Sequence, residues 1–256
     1  MPEGHTIHYA ARDHRKLFVG HKLDVSSPQG RFSDGARLIN KQECVAVEAY
    51  GKHLFYEFKN SQLLHIHLGL FGRIKRQKLP AHAAKGKIRV RLVGQTHFID
   101  IQGPTICEIL DKDGVSKIKE RIGPDLLRKD AEPEKFFKRV YKSKAKISTL
   151  LMDQSVIAGI GNIYRTELLW RQGIHPEVAG RELSLYQLKD LWEDARTLLE
   201  IGAKRNKIVT NLEAKKNNNR ENLNIYKKTH CPKCHGDISR MDISGRAVYF
   251  CDFCQS

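Results

Sequence analysis

The sequence predicts an α+β protein of two domains with a small cysteine-rich module at its end. Three observations support this prediction. Apolar residues alternate with a period of two between residues 22 and 110, the period becomes helical between residues 133 and 202, and four cysteines cluster after residue 230. A chain of 256 residues is long enough for one large or two ordinary domains.

The N-terminal part is predicted to be a β-sandwich or barrel preceded by one helix. Residues 6–18 place their apolar side chains on one helical face, and Gly20 follows as a stop signal. Period-two runs then occur, separated by glycines, at Val45, Val47 and Ala49, at Leu64, Ile66 and Leu68, and at Ile88, Val90 and Leu92. The charged stretch 111–132, which contains Gly123-Pro124, is predicted to be a hinge region.

The second part is predicted to be helical. Pro133 suits the first turn of a helix, and amphipathic stretches end at Leu150-Leu151 and cover residues 163–170. Ser184 with Gln187 forms a capping box before a third helix. The apolar face of that helix consists of Leu185, Leu188, Leu191, Trp192, Ala195, Leu198 and Leu199. Residues 203–228 are rich in Lys and Asn and are predicted to form a mobile, solvated loop.

The charge of the chain favours a polyanionic partner. It has 45 Lys+Arg against 29 Asp+Glu, a net charge of +16. Nucleic acid is the favoured polyanion, because neutralising phosphates releases condensed counterions. A membrane surface is the alternative, but no apolar run approaches the ~20 residues of a spanning helix. The first helix is too polar for a signal peptide, so a cytoplasmic protein is expected, associated with the nucleoid if the source is bacterial.

The cysteines fall into two groups. Cys231, Cys234, Cys251 and Cys254 have the spacing Cys-x2-Cys-x16-Cys-x2-Cys, which predicts one tetrahedral zinc ion rather than a disulfide framework. Four thiolates close the coordination shell, so this zinc is expected to be structural. Reduced, metal-bound thiols also favour the cytosol. Cys44 and Cys107 lie in strand-like segments and are predicted to be buried and inert.

Pro2 and Glu3 form a candidate catalytic pair. Removal of Met1, which the small ring of Pro2 permits, leaves a secondary amine that titrates near pH 8. Attack of this amine on a sugar aldehyde carbon gives an iminium ion, which acidifies the neighbouring carbon. The alternative is an ordinary start codon followed by a permissive proline.

Residues 154–164, Gln-Ser-Val-Ile-Ala-Gly-Ile-Gly-Asn-Ile-Tyr, form a candidate phosphate site. Glycines give the backbone freedom here, and Asn162 lies where a helix is predicted to begin. Backbone N–H groups and an amide side chain therefore meet at one point. An ordinary helix–helix turn with a capping Asn is the alternative.

The chain resembles the formamidopyrimidine-DNA glycosylase and endonuclease VIII family of base-excision repair enzymes. The resemblance covers nearly the whole length and follows the family's order of motifs. The motifs are Pro2-Glu3-Gly4, Gly51-Lys52, Arg121-Ile122-Gly123-Pro124-Asp125, the residues from Ala158 to Glu167, the four-cysteine module and the ending Cys254-Gln255. The start Met1-Pro2-Glu3-Gly4 is closer to the endonuclease VIII branch.

The resemblance implies a β-sandwich catalytic domain at 1–120, a hinge at 121–132, a helix–two-turn–helix DNA-binding domain at 133–222 and a zinc finger at 223–256. It implies a monomer that binds damaged DNA, with no membrane partner. It also implies a bifunctional glycosylase and abasic-site lyase that removes oxidised bases, preferably pyrimidines, and cleaves the strand by β- and δ-elimination. A purine substrate stays open. A zinc-ribbon protein that binds DNA or damage without catalysis is the alternative.

The resemblance also assigns roles to single residues. Pro2 would attack C1′, Glu3 would transfer protons, and Lys52 would bind a phosphate near the lesion. Asn162 would bind a DNA phosphate, and Arg246 would bind the phosphate of the flipped nucleotide. For Lys52 and Arg246 the alternative is a solvated residue in a hairpin. Glu167 matches a carboxylate near the catalytic centre, and a structural ion pair explains it equally well.

The loop Gly69-Leu70-Phe71-Gly72 would fill the gap left by the flipped nucleotide, with Leu70 and Phe71 as the wedge. Core packing at a strand end is the alternative. Many family members carry a second Pro-Glu where this chain has His5-Thr6. Either His5 takes part of that carboxylate's role, or base removal is slower or uses another group. Gly69 replaces a side chain that often reads the orphaned base, which implies weak selectivity for the opposite base.

Overall fold

The computed structural model describes residues 2–213 and 221–255, and the chain divides into two compact units at residues 121 and 122. Among the described residues, no helix combines the length and the apolar character needed to cross a membrane.

Unit 1 is a β-sandwich with a leading helix, as predicted. Helix α1 spans Gly4–Phe18. The strands are β1 His21–Lys22, β2 Asp24–Ser26, β3 Glu43–Tyr50, β4 His53–Phe58, β5 Leu63–His67, β6 Arg73–Lys78, β7 Ile88–Val93, β8 His97–Gln102 and β9 Ile106–Leu110. They form a five-stranded sheet in the order β1-β3-β4-β5-β9 and a four-stranded sheet in the order β2-β7-β8-β6. Side chains from both sheets and from α1, among them Leu54, Ile99 and Ile7, pack in one core.

Three features of unit 1 differ from the expectation. Val45 is 38% exposed instead of facing the core with Val47, because the register of β3 against β4 shifts between Cys44 and Ala46. Helix α2, Ser33–Ile39, buries only two residues and is too short to show a helical period. Helix α3, Lys112–Arg121, occupies the first half of the predicted hinge region 111–132. Its buried face is limited to Val115 and Ile118, so its sequence shows no helical period of apolar residues and the helix was not predicted.

Unit 2 is helical and ends in a β-hairpin. Its helices are α4 Pro133–Tyr141, α5 Ile147–Leu150, α6 Asn162–Arg171 and α7 Leu185–Arg205, and the hairpin consists of β10 Ser239–Ile243 and β11 Arg246–Phe250. Pro133 opens α4, and the capping box of Ser184 and Gln187 opens α7, both as predicted. Tyr164, Trp192 and Leu198 belong to the core that the helices share.

The second half of the predicted hinge is packed against its neighbours. The Gly123 amide donates to the Gln154 carbonyl at 2.8 Å, and the Ala158 amide donates to the Pro124 carbonyl at 3.0 Å. A side chain at residue 123 would lie 2.5 Å from the backbone of Val156, so only glycine fits there. Gly123-Pro124 is therefore required for close backbone packing and does not mark a flexible linker.

The segment 203–228, predicted to be a mobile, solvated loop, is ordered differently from that prediction at both of its ends. Helix α7 continues to Arg205, and Thr210, Asn222 and Ile225 are buried rather than solvated. Residues 214–220 lie outside the described residues. The two flanks are held by a buried carboxylate, which belongs to the candidate site.

Candidate active site and metal centre

The first turn of α1 carries the candidate catalytic pair. Glu3 is the N-cap of α1, where the helix dipole favours negative charge, and its side chain is fully buried. Pro2 precedes it and is partly exposed. His5 follows inside the helix, 3% exposed, and burial lowers its pKa to about 4. A neutral imidazole, a carboxylate and Pro2 therefore occur within four consecutive residues.

Lys52 lies in the tight turn between β3 and β4. Tyr50 and His53 face each other across the two strands, so Gly51 and Lys52 form a two-residue hairpin loop. Gly51 has a φ of 55°, a backbone conformation that glycine adopts without strain. Lys52 is half-buried at this turn. A cation at a rigid hairpin can bind a phosphate without first being ordered.

The segment from Leu68 to Gly72 is a protruding turn that presents Leu70 and Phe71. Leu70 is 47% exposed and Phe71 is 87% exposed. The Gly72 amide donates to the Leu68 carbonyl at 3.0 Å, and a side chain at residue 72 would lie 2.3 Å from that oxygen. Gly69 has a φ of 63° and is packed against Thr105. Both glycines are thus required by the turn, which holds two apolar side chains out in solvent.

Asn162 and the turn at Arg246 come together in unit 2. Asn162 is the first residue of α6, and its side-chain amide donates to the Ala247 carbonyl at 3.0 Å. Its oxygen accepts a hydrogen bond from the buried Arg165. Arg246 begins β11 beside Ala247. Two residues far apart in sequence, each a candidate phosphate ligand, are therefore positioned by one hydrogen-bonded contact.

Glu167 binds the flanks of residues 214–220 by hydrogen bonds. Its buried carboxylate accepts from the Thr210 hydroxyl and from the backbone and side chain of Asn224, at 2.7 and 2.9 Å for the latter two. It also accepts from the amides of Ile225, at 2.9 Å, and Tyr226, at 2.7 Å. Each carboxylate oxygen thus receives at least two donors. This geometry supports a structural role for Glu167 that rests on hydrogen bonds.

The four cysteines form a compact cluster at the base of the hairpin. Their sulfurs all lie within 4.8 Å of one another, with Cys231 and Cys254 at 3.8 Å and Cys234 and Cys251 at 3.4 Å. A zinc ion bound tetrahedrally to four sulfurs at about 2.3 Å separates them by about 3.8 Å. The donor set and its spacing therefore fit a metal ion such as zinc.

Two neighbours of the cluster were not predicted from the sequence. The Trp170 indole N–H donates to the Cys231 sulfur at 3.4 Å, and such outer partners orient metal ligands. Gln255 is buried, accepts from the Cys251 amide at 2.9 Å and donates to the Ile174 carbonyl at 2.8 Å. Gln255 thereby links the cluster to the helical core. The family resemblance pointed to Gln255 as part of a motif but gave it no role.

A group of histidines on the five-stranded sheet was also missed. His53, His65 and His67 lie on β4 and β5, and the His53 and His65 rings are hydrogen-bonded at 2.8 Å. The available signal was the period-two repeat of His65 and His67 in one strand. Among the described residues, only the four cysteines form a group suited to hold a metal ion, so the histidines are a separate feature.

The fold and the site define an α+β protein with a β-sandwich, a helical unit and a four-cysteine hairpin. Residues 1–106 match the formamidopyrimidine-DNA glycosylase N-terminal domain, and residues 122–214 match the formamidopyrimidine-DNA glycosylase H2TH domain. The chain is 38% identical to endonuclease 8 1 of Mycobacterium tuberculosis, over the full length of both. It is 30% identical to the formamidopyrimidine-DNA glycosylase of Thermomicrobium roseum, over 86% of this chain and 84% of that one.

Solved structures show the same architecture. The LlFpg protein, in a complex with a THF-DNA and an inhibitor, superposes with a TM-score of 0.85 at 25% identity over the full length of both chains. MutM in complex with DNA containing carbocyclic 8-oxo-G gives a TM-score of 0.85 at 25% identity over 99% of each chain. The chain belongs to the formamidopyrimidine-DNA glycosylase and endonuclease VIII family of DNA repair glycosylases.

Proposed function

We propose that this protein is a bifunctional DNA glycosylase and abasic-site lyase that removes oxidised bases, preferentially pyrimidines, from damaged DNA. The observation that carries the proposal is the Pro2-Glu3 pair at the start of α1, in a chain 38% identical over its full length to endonuclease 8 1. The preference for pyrimidines follows from the resemblance to that branch. The lyase step follows from the chemistry of an N-terminal secondary amine.

The proposed reaction begins when the amine of Pro2, exposed by removal of Met1, attacks C1′ of the damaged nucleotide. The bond from C1′ to the base breaks, and Glu3 supplies the proton that helps the sugar ring to open. General acid–base help of this kind contributes about 10²–10⁴-fold to a rate. The iminium ion then acidifies the C2′ hydrogens, and loss of one proton expels the 3′ phosphate. A second elimination expels the 5′ phosphate.

Other residues would hold the DNA in the required geometry. Lys52, Asn162 and Arg246 bind phosphates around the flipped nucleotide, and the turn with Leu70 and Phe71 occupies the gap in the base stack. The exposure of Phe71, 87%, supports this wedge role over core packing. One structural zinc ion, bound by the four cysteines, would keep the Arg246 hairpin folded. The net charge of +16 supports salt-sensitive binding to DNA.

Borohydride trapping on DNA with a single abasic site tests the proposed chemistry. Reduction of the iminium ion would join protein and DNA covalently, and acetylation of the Pro2 nitrogen should abolish the adduct. The variant P133A, which changes a proline in unit 2 and leaves the N-terminal amine intact, should give the same adduct as the native protein. An adduct that persists after acetylation, or no adduct with the native protein, would overturn the mechanism. If the native protein forms no adduct but still binds DNA, a non-catalytic damage-binding protein would be favoured.

The mass of the mature chain and a panel of lesions complete the test. Retention of Met1 would misplace the amine and contradict the proposal. Oligonucleotides with one oxidised pyrimidine, one oxidised purine or one abasic site should be cut with the pyrimidine favoured over the purine. Faster cleavage at the purine would move the protein to the other branch of the family while leaving the Pro2 chemistry intact.

A further inference from the structure

The face of the five-stranded sheet that points away from the sandwich core carries, among other side chains, three histidines, Phe55 and Glu108. His53 faces His67 across β4 and β5, Phe55 faces His65 in the next row, and His65 in turn faces Glu108 on β9. The intervening residues, such as Leu54 and Ile66, belong to the core. The strand register therefore brings three imidazoles and one carboxylate together on a single surface of unit 1.

Hydrogen bonds join Glu108, His65 and His53 in one chain. A carboxylate oxygen of Glu108 lies 2.9 Å from His65 Nδ1, and His65 Nε2 lies 2.8 Å from His53 Nδ1. The carboxylate can only accept, so His65 Nδ1 carries a proton. A neutral His65 then accepts at Nε2, which requires a proton on His53 Nδ1. These two hydrogen bonds thus fix the tautomers of the His65 and His53 rings.

The surroundings keep these rings neutral. Burial lowers the pKa of His53 to about 3, and the neighbouring histidines, Arg121 and Lys52 add to the effect. Burial also lowers the pKa values of His65 and His67; Glu108 opposes the shift at His65, and Lys52 adds to it at His67. From α3, Lys119 approaches the Phe55 ring at 5.9 Å. Neutral rings can pack closely beside these cations, whereas charged rings would be repelled.

His67 connects the histidines to the protruding turn. Its Nδ1 accepts a hydrogen bond from the Gly69 amide at 3.1 Å, so Nδ1 must be unprotonated. Its ring contacts the His53 ring at a centroid distance of 4.8 Å. On the opposite side, the Thr105 amide donates to the His67 carbonyl at 2.9 Å. Gly69, within the turn that presents Leu70 and Phe71, is therefore held by the unprotonated nitrogen of one imidazole.

We propose that Glu108, His65 and His53 form a hydrogen-bonded positioning relay that fixes the His53 ring, against which the His67 ring packs. The relay thereby keeps His67 Nδ1 aimed at the Gly69 amide and the Leu70–Phe71 turn in its protruding shape. This inference rests on the proposed function, in which that turn fills a gap in duplex DNA. The relay residues act through His67 and do not touch the reacting atoms. Their contribution concerns duplex DNA, because a single strand has no base stack to be filled.

Substitution of Glu108 tests the relay. The variant E108L removes the acceptor, whereas E108Q keeps a carbonyl oxygen that can accept from His65 Nδ1. We expect E108L to cut an abasic site in duplex DNA about 10-fold more slowly under single-turnover conditions, with cleavage of the same site in single-stranded DNA unchanged. E108Q should restore most of the duplex rate. The control is E43L, because Glu43 is a strand glutamate of the same sheet that pairs with the exposed Lys59.

Nitrogen NMR of the native protein tests the relay without any variant. His65 and His53 should be protonated at Nδ1, and His67 at Nε2, in protein without DNA at neutral pH. A proton on Nδ1 of His67, or an equal loss of duplex and single-strand cleavage in E108L, would overturn the relay. Failure of the proposed function is distinguishable, because it would appear as absent borohydride trapping in the native protein while the tautomers stay as expected.

Discussion

Replacement of Glu167 by Gln should destabilise the protein by about 4 kcal/mol. The carboxylate accepts five hydrogen bonds, two at Oε1 and three at Oε2. An amide has only one oxygen, so its NH2 group must face buried donors, at best the amides of Ile225 and Tyr226. Each buried donor left without an acceptor costs about 1–3 kcal/mol. The loss falls on the flanks of residues 214–220 and on the start of the cysteine module.

Two measurements check this prediction. Urea unfolding gives the change in the free energy of unfolding, and amide hydrogen exchange reports whether Ile225 and Tyr226 lose protection locally. The variant E200Q is the control, because Glu200 forms an exposed ion pair with Arg196 one helical turn away and should change stability by less than about 0.5 kcal/mol. A loss below about 1 kcal/mol for E167Q, with protection retained at both amides, would refute the structural role. Folded E167Q should still form the borohydride-trapped adduct, because a structural Glu167 holds Thr210 and the segment 224–226 and does not contact DNA.

Three further predictions follow from other parts of the structure. F71A should slow cleavage of duplex abasic DNA without changing the melting temperature, because the side chain is 87% exposed; a lowered melting temperature would contradict this. Burial lowers the pKa of His14 to about 3, so its stabilising effect is present above pH 6.5 and is lost as the pH falls towards 3. Urea unfolding should therefore show a loss of about 1.4 kcal/mol from this group between pH 7.5 and 5.5, which H14Q should remove. A zinc chelator should abolish DNA binding in a gel-shift assay and expose the cysteine thiols to reagents; binding retained by metal-free protein would contradict a structural zinc.

Much of the fold could be predicted from periodicity because most elements bury a regular apolar face. Helix α1 and helix α7 present such faces over several turns, and the capping box at Ser184 marks the start of the latter. Helix α3 was not predicted because two buried residues in ten do not produce a helical period of apolar residues. The burial of Ile225 was not predicted for a different reason: its side chain packs with Trp170 and two of the cysteines, and its amide donates to Glu167. Trp170 and Glu167 are far from Ile225 in sequence, so no local pattern reveals these contacts.

The candidate site likewise contains residues that could be predicted from local sequence and residues that depend on tertiary contacts. Residues whose proposed role rests on covalent chemistry or ligand spacing, such as Pro2 and the four cysteines, can be identified in the sequence because residue type and spacing already imply the chemistry. Only part of the histidine relay can be predicted from the sequence. His65 and His67 share a strand face by alternation, but the partner of each depends on the turn between β4 and β5, which sets His53 opposite His67. A turn longer by one residue would move the partners to the opposite face, and no relay could form. Alternation therefore predicts which side chains share a surface, whereas register and hydrogen-bond distances decide which of them can act together.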